Sequence, residues 1–383
     1  MRVARRTVAL TLALAGAGCG RRPPTDSSRG PQQVLDALVQ GEPAIRNCVL
    51  AVARGTGPGT WVGAAGVAEA QSGEAMTPST PIYIASVTKL YTATAVMMLQ
   101  ERGALSLSDP MAKYLPSTLL RGIQTYQGHD YADEVTIEQL LSHRSGIADY
   151  YDERASDGKT VAELLREAPQ RQWTADQAIA RARDDMRANF APGTRTSYSD
   201  TNYQLLGKVV EAVAHKPLHS ILQDTLFRPL ELQSTWLLGH ARTAGTKAAR
   251  PADVFHGQDN ITASRANGAY WADGGIVSTA DEMIAFLRAL KGGRLVRPDT
   301  LARMHRWQRW RFPIRYGCGT MDFELPRPLG ALFKIPPMWG HSGSTGSFLY
   351  YASDPDLYFA GTVDQTQARM TPFLLMGRVA SLV

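Results

Sequence analysis

The segment from Thr88 to Arg102 limits the folds open to this chain more than any other feature. Helical spacing gives it two apolar rows instead of one, formed by Leu90, Ala93 and Met97 and by Val87, Tyr91, Ala95 and Met98. A helix that is apolar on more than one face is buried from several sides. We expect no membrane-spanning helix, because no run of about 18 apolar residues occurs. The segment therefore predicts a helix at the centre of a large globular domain.

The predicted strands lie near the two ends of the chain, and most of the predicted helices lie between them. Residues 47–54 and 61–69 form two strands around a Gly/Pro turn, and residues 347–352 and 358–363 form a hairpin. Helical patterns cover 137–142, 161–167, 175–187, 203–214, 218–227 and 372–382. The simplest assembly is an α/β (α+β) fold, with an antiparallel sheet flanked by helices. A mainly helical region, about residues 111–264, is inserted between the sheet-forming ends.

The N-terminus has the pattern of an export signal. Arg2, Arg5 and Arg6 precede a short apolar stretch that ends at Cys19. The small residues before Cys19 resemble a bacterial lipobox, in which the cysteine is acylated and becomes the new N-terminus. A plain cleaved signal or a twin-arginine signal are the alternatives. We expect a signal at 1–18, a tether and short helix at 19–42, and one domain at 43–383, exported and anchored to the membrane.

The first motif with chemical potential is Ser86-Val87-Thr88-Lys89, at the start of the predicted buried helix. Residues three apart share a helical face, so the Lys89 amine can reach the Ser86 hydroxyl. A neighbouring amine can remove the proton from a serine, and the start of a helix favours an oxyanion. The alternative is a capping serine followed by a solvated lysine. The turns after Lys89 are apolar, which is unusual for a solvated lysine.

Two further segments carry candidate residues. Tyr198 lies in a loop before a helix, where a phenol could relay protons, although an ordinary tyrosine beside a helix cap explains the pattern equally well. Residues 339–346, WGHSGSTG, precede a strand pair, and their small side chains would let a substrate approach the sheet edge. The alternative there is a glycine-rich loop with a structural His341. An α/β-hydrolase elbow is excluded, because Ser344 stands where that motif needs glycine.

In this order the three motifs resemble those of the penicillin-recognising serine hydrolases, in the branch with class C β-lactamases, D-alanyl-D-alanine carboxypeptidases and related esterases. The likeness extends over about residues 45–383 and includes the segments IEQLLSHRSGIADY and GGIVSTADEMIAFLRAL. It implies a β-lactamase-like fold. It also implies that Ser86 is the nucleophile that forms an acyl-enzyme, Lys89 its base or proton shuttle, and Tyr198 the group that passes protons to the leaving group and from water.

The third motif acquires a role through the same resemblance. His341, Ser342 and Gly343 stand where lactamases carry Lys-Thr-Gly. A histidine at the first of these positions is similar to some carboxypeptidases and esterases of the family. The backbone N–H groups of Ser86 and Ser344 would form the oxyanion hole.

Asp200 departs from the family pattern, in which the tyrosine motif usually ends in asparagine. Asparagine can donate to a substrate carbonyl and an ionised aspartate cannot. We expect Asp200 to pair with Lys89 and keep it charged, which would favour Tyr198 as the base. This weakens the case for β-lactam or peptide turnover and strengthens the case for an ester. His341 also argues against a β-lactamase, because the charge of a histidine depends on pH near neutrality, whereas the lysine that lactamases carry at this position stays charged.

The remaining features do not by themselves indicate a function. The formal net charge is +6, and three of the arginines lie within the predicted signal at residues 1–18. The remaining positive charge is too small to indicate binding to nucleic acid. The segment 303–316 interleaves arginines with aromatic residues, and we expect a surface helix and loop there. Cys48 and Cys318 are expected to be buried free thiols. No cofactor or metal motif occurs, and we expect a monomer with a small-molecule or peptide-like acyl substrate.

Three functions compete on the sequence alone. The first is a D-alanyl-D-alanine-type peptidase that binds penicillin, and the second is a hydrolase of small esters. The third is a catalytically silent envelope lipoprotein that keeps the fold. The presence of Ser86, Lys89 and Tyr198 favours the two enzymes.

Overall fold

The computed structural model describes residues 30–57, 59–239, 250–265 and 269–383. The predicted signal and Cys19 lie outside these residues. The helices are α1 (Pro31–Gly41), α2 (Thr88–Glu101), α3 (Ser117–Leu120), α4 (Ile137–Leu141), α5 (Val161–Glu167), α6 (Ala175–Asp185), α7 (Asp200–Ala214), α8 (Leu218–Leu222), α9 (Thr262–Arg265), α10 (Ala280–Lys291), α11 (Pro298–Met304), α12 (Arg327–Phe333) and α13 (Thr371–Ala380). Two short 3-10 turns, Ala85–Val87 and Met111–Lys113, and a π-helical turn, Gln223–Phe227, complete the helical elements of this part of the chain.

The strands are short except near the N-terminus and in the last third of the chain. They are β1 (Asn47–Arg54), β2 (Thr60–Glu69), β3 (Glu74–Ala75), β4 (Ile82–Tyr83), β5 (Thr125–Tyr126), β6 (His129–Asp130), β7 (Trp236–Leu237), β8 (Phe255–His256), β9 (Asp259–Asn260), β10 (Ile276–Ser278), β11 (Gln308–Arg311), β12 (Ile314–Tyr316), β13 (Met321–Phe323), β14 (Met338–Ser342), β15 (Phe348–Ala352) and β16 (Leu357–Thr362).

The main sheet joins the two ends of the chain, as predicted. Its order over the described residues is β11-β12-β13-β14-β15-β16-β1-β2-β3, with antiparallel pairing throughout. Strand β1 lies between β16 and β2, where Val49 pairs with Thr362 on one side and with Ala64 on the other. Because β1–β3 and β11–β16 make up this sheet, the chain between β3 and β11 packs outside it.

Hydrophobic cores cover both faces of this sheet. Alternate residues of β1 point to opposite faces, so that Val49 and Ala51 pack toward the helical region while Cys48 and Leu50 pack toward α1 and α13. Helix α2 lies inside the larger core and contacts α7, α8 and β14. Eleven of its residues are buried, including Lys89. The predicted central helix is therefore confirmed.

Two predicted elements differ from the structure. Residues 308–316 form the edge hairpin of β11 and β12, and the predicted surface helix ends at Met304. Trp310, Ile314 and Tyr316 are residues that favour strands, and pairing with β13 supplies the hydrogen bonds of this segment. Helix α7 begins at Asp200, before the predicted start at Tyr203. A carboxylate is favourable in the first turn of a helix, which explains the earlier start.

Cys48 and Cys318 are both free and buried, as predicted. Burial raises the pKa of each thiol to about 12, so neither is reactive near neutral pH. None of the helices in the described part of the chain is long and apolar enough to cross a bilayer. Among the same residues, no group of three or more His, Cys, Asp or Glu side chains is arranged to hold a metal ion.

Candidate active site

Ser86 lies in a tight turn between β4 and α2. The turn is the 3-10 segment Ala85–Val87, and α2 follows it directly at Thr88. Ala85 has φ of 45°, in the left-handed region that a residue with a Cβ rarely adopts. Such a conformation costs about 1–3 kcal/mol and persists only where the surroundings impose it. Here the Ile84 N–H is fixed by Ile276 O at 3.1 Å, and Ser86 itself stays partly exposed.

Lys89 is fully buried and makes three polar contacts. Its Nζ donates to Ser86 Oγ at 3.2 Å and to the backbone oxygen of Asp273 at 2.7 Å, and it forms an ion pair with Asp200. An ammonium group has three N–H donors, so all three are satisfied. The structure thus brings Ser86 and Lys89 together and confirms the predicted pairing of Lys89 with Asp200.

Asp200 reaches Lys89 because it opens α7. Its side chain is 10% exposed and its backbone N–H donates to Asp149 Oδ1 at 3.2 Å. The helix N-terminus favours a negative charge at this position. The carboxylate is occupied by the lysine, so it holds the ammonium in place beside the serine.

Tyr198, two residues before Asp200 in the sequence, also lies next to Lys89. Its ring centroid lies 5.0 Å from Lys89 Nζ. Burial, followed by repulsion from the Asp200 carboxylate, raises the pKa of the Tyr198 phenol well above its ordinary value, while the nearby Ser86 side chain lowers it. Tyr198 is therefore a neutral phenol at rest. A neutral phenol is a poor base. The pairing of Lys89 with Asp200 is therefore present, whereas the raised pKa argues against Tyr198 as the group that first takes the serine proton.

The loop after β14 is fastened to the segment that carries the nucleophile. Ser347 Oγ donates to Ile84 O at 2.7 Å, and Thr345 Oγ1 donates to Tyr83 O at 2.8 Å. A Cβ at Gly343 would lie 2.5 Å from Ile84 O and 2.1 Å from Ser347 Oγ, so only glycine allows this approach. The contacts hold the loop of Ser344 next to the turn of Ser86.

His341 lies beside the site, and both of its ring nitrogens are hydrogen-bonded within the protein. Its ring is fully buried, with Nδ1 2.8 Å from Ser342 O and Nε2 2.9 Å from the Tyr316 hydroxyl. The carbonyl can only accept, so Nδ1 carries the proton and Nε2 accepts from Tyr316. Burial, then repulsion from Lys89, lowers the pKa of His341 to about 3. His341 therefore offers the site neither a proton donor nor a charge, because both ring nitrogens are bonded within the protein interior. The neighbouring Ser342 hydroxyl lies 2.7 Å from the Tyr350 hydroxyl.

Sequence reasoning missed His143, which supports Tyr198. The buried His143 Nδ1 accepts a hydrogen bond from the Ser199 N–H at 3.1 Å, and its ring lies 4.2 Å from the Tyr198 ring. Burial, then the charges of Lys89 and His341, lower the pKa of His143 well below its ordinary value. A neutral ring that fixes the backbone next to Tyr198 positions the phenol. The signal was the family-like segment 137–150, in which His143 lies.

Two further carboxyl groups, those of Asp149 and Asp273, lie near Asp200 and were also missed. Both are buried, and burial followed by repulsion from Asp200 raises the pKa of Asp149 well above its ordinary value. Burial raises the pKa of Asp273 to about 6, although the Lys89 charge lowers it. Tyr150 and Gln204 donate to the Asp273 carboxylate at 2.7 and 3.0 Å. Lys89 thus lies near three carboxyl groups, and two of them, Asp149 and Asp273, hold their protons more tightly than in water.

Replacing Asp273 by asparagine should remove a pH dependence of stability. The carboxyl pKa is raised from 3.8 to about 6, so its contribution is full below pH 3.8 and is lost as pH rises through 6. The free energy of unfolding of the native protein, minus that of Asp273→Asn, should fall by at most about 3 kcal/mol over this window. Urea denaturation at a series of pH values measures the difference. The exposed Asp133→Asn is the control, and a flat difference for Asp273→Asn would contradict the shift.

The site's geometry is accompanied by clear likeness to known proteins. A family model described as Beta-lactamase matches residues 35–371. Penicillin-binding protein 4 of Amycolatopsis lactamdurans is 33% identical over 178 residues, 46% of this chain and 41% of that protein. A D-aminopeptidase of Brucella ovis is 25% identical over 222 residues, 58% of this chain and 38% of that protein. The matched segments therefore span less than half the length of these curated relatives.

Solved structures show the same architecture over most of the chain. A D-stereospecific amidohydrolase from Streptomyces sp. is 26% identical with a TM-score of 0.74, covering 92% of this chain and 98% of that one. The D-amino acid amidase from Ochrobactrum anthropi is 22% identical with a TM-score of 0.73, covering 92% and 100%. At that identity the second likeness supports the fold alone.

Proposed function

The chain belongs to the beta-lactamase family of serine hydrolases, and from this premise we propose that it cleaves esters and amides with an uncharged leaving group. The observation that carries the proposal is the Ser86 hydroxyl at the start of α2, which accepts a hydrogen bond from Lys89 Nζ at 3.2 Å, with the Tyr198 ring centroid 5.0 Å from the same Nζ. A serine between an amine and a phenol has a route for losing its proton and a donor for the leaving group. A silent binding protein would have no need of this cluster.

The proton route follows from the charges. Tyr198 is neutral at rest, so the Lys89–Asp200 pair takes the serine proton as Ser86 Oγ attacks the substrate carbonyl. The lysine passes a proton to Asp200 as it receives the one from serine. The Tyr198 hydroxyl gives its proton to the departing oxygen or nitrogen and recovers one from Lys89. Water then enters by the reverse route and releases the acyl group from Ser86.

The oxyanion of each tetrahedral intermediate needs donors that are already in place. The backbone N–H groups of Ser86 and Ser344 belong to two segments fastened together through Ser347 and Thr345. We assign the oxyanion hole to these two groups. Each such donor contributes about 10²–10³ in rate.

The choice of an uncharged leaving group rests on His341. A carboxypeptidase must bind the free carboxylate of the departing residue, for which a cation is the natural partner. With a pKa of about 3 and both nitrogens bonded, His341 supplies none. Asp200 adds a negative charge where the family pattern has a neutral amide. These features support esters and simple amides over a D-alanyl-D-alanine substrate.

The test is a comparison of four reagents with the purified domain. We expect turnover of p-nitrophenyl butyrate and of D-alanine p-nitroanilide, and no release of D-alanine from diacetyl-lysyl-D-alanyl-D-alanine. A fluorescent penicillin should label the protein weakly or not at all. Release of D-alanine together with strong penicillin labelling would overturn the proposal in favour of a peptidase.

Export and lipid anchoring are proposed separately, from Cys19 and the residues before it. In a bacterial host the full chain should fractionate with membranes, and Cys19→Ala should move it to the periplasmic fraction. A membrane association that survives this substitution would argue for another means of attachment.

A further inference from the structure

The aromatic residues of the edge hairpin lie beside the catalytic cluster. Strand β11 carries a bulge, since the pairing register shifts between Arg309 and Arg311 with Trp310 between them. A bulge redirects a side chain and is frequent next to functional sites. The Trp310 ring stacks on the Tyr198 ring with centroids 5.1 Å apart and planes 25° apart. The hairpin of β11 and β12 therefore places the Trp310 side chain against the Tyr198 ring.

Part of the Trp310 side chain remains exposed despite its contact with Tyr198. It also meets Tyr316 edge to face at 6.0 Å, yet it stays partly exposed while Arg309 and Arg311 on either side are exposed. A tryptophan presents a large apolar area, and aromatic partners prefer offset or edge contacts with it. Behind Tyr198 the wall continues with His143 and Tyr316, whose ring centroids are 4.4 Å apart. Because His143 is neutral, this side of the site offers rings without a formal charge.

The position relative to Tyr198 indicates which part of a substrate meets this wall. In the proposed reaction the Tyr198 hydroxyl protonates the departing atom, so the leaving group departs next to that ring. A group stacked on Tyr198 is then a neighbour of the leaving group. We propose that Trp310 forms the wall of a leaving-group subsite, so that the enzyme prefers esters and amides whose leaving group carries an aromatic ring. This inference rests on the proposed function and adds a substrate class to it.

The experiment uses two butyrate esters that yield the same acyl-enzyme, 2-naphthyl butyrate and ethyl butyrate. Trp310→Ala should lower kcat/KM for the naphthyl ester about tenfold and change that for the ethyl ester less than about twofold. Trp310→Phe should keep most of the naphthyl activity, because a ring remains. Arg309→Ala, in the same strand, is the matched control and should behave as the native protein. Equal losses on both esters, or no loss on either, would overturn the assignment.

A binding measurement separates this inference from the proposed function. Calorimetric titration of Ser86→Ala with 2-naphthol reports the subsite without any turnover. The dissociation constant should rise about fivefold or more when Trp310→Ala is added. If no ester or amide is hydrolysed, the proposed function is wrong and the naphthol titration still decides the role of Trp310. Equal affinity in the two proteins, or no binding to either, would overturn the subsite.

Discussion

Replacing Ser86 by alanine is expected to lower kcat/KM for every ester or amide substrate by a factor on the order of 10⁴ or more. The Ser86 Oγ accepts a hydrogen bond from Lys89 Nζ and is the proposed nucleophile, so its removal deletes the attacking atom and the proton that Lys89 and Tyr198 would carry. A fluorophosphonate probe should label the native protein and fail to label the variant. Mass spectrometry of the labelled protein should place the adduct on the peptide containing Ser86.

The fold should survive this change. The substitution removes one of the three acceptors of the buried Lys89 ammonium, so the free energy of unfolding should fall by about 1–3 kcal/mol. The exposed Ser79→Ala, a few residues upstream, is the matched control and should keep full activity. Turnover that persists in Ser86→Ala, with an intact thermal transition, would place the nucleophile elsewhere.

The sequence predicted those parts of the site that depend on short-range periodicity. Ser86 lies in the 3-10 turn that leads directly into α2, and Lys89 lies in the first turn of α2, so a spacing of three residues brings them together wherever the helix lies. The pairing of Lys89 with Asp200 was expected from the family resemblance, through the place of Asp200 in the tyrosine motif, and the joining of β1 and β16 in one sheet was expected from the distribution of strands.

The parts that could not be predicted depend on contacts between distant segments. The neutrality of His341 arises from Tyr316 and from complete burial, neither of which its motif reveals. The third acceptor of Lys89 is a backbone oxygen, that of Asp273, which no residue type signals. Trp310 lay in a segment with a recognised aromatic and basic pattern, but the bulge that aims it at Tyr198 is set by pairing with β12.

Replacing Lys89 by methionine is expected to remove activity and to destabilise the protein at the same time. Methionine fills a similar volume without the charge, so Asp200 is left buried with no cation. Breaking a buried pair by removing one partner costs about 3–5 kcal/mol. Loss of the base should lower kcat by about 10²–10⁴. Urea denaturation and ester kinetics on the same preparations give the two quantities.

The double substitution Lys89→Met with Asp200→Asn separates the two effects. With both charges gone, the burial cost of an unpaired carboxylate disappears, and replacing a buried ion pair by neutral groups is often neutral in stability. The double variant should therefore recover most of the 3–5 kcal/mol lost by the single one, while its activity stays as low. That divergence would show that Asp200 holds Lys89 in place and that Lys89 carries the proton. Recovered activity in the double variant would remove Lys89 from the mechanism. Unrecovered stability would mean that the loss comes from the other contacts of Lys89, those to Ser86 and to the Asp273 backbone oxygen, and not from the unpaired Asp200 carboxylate.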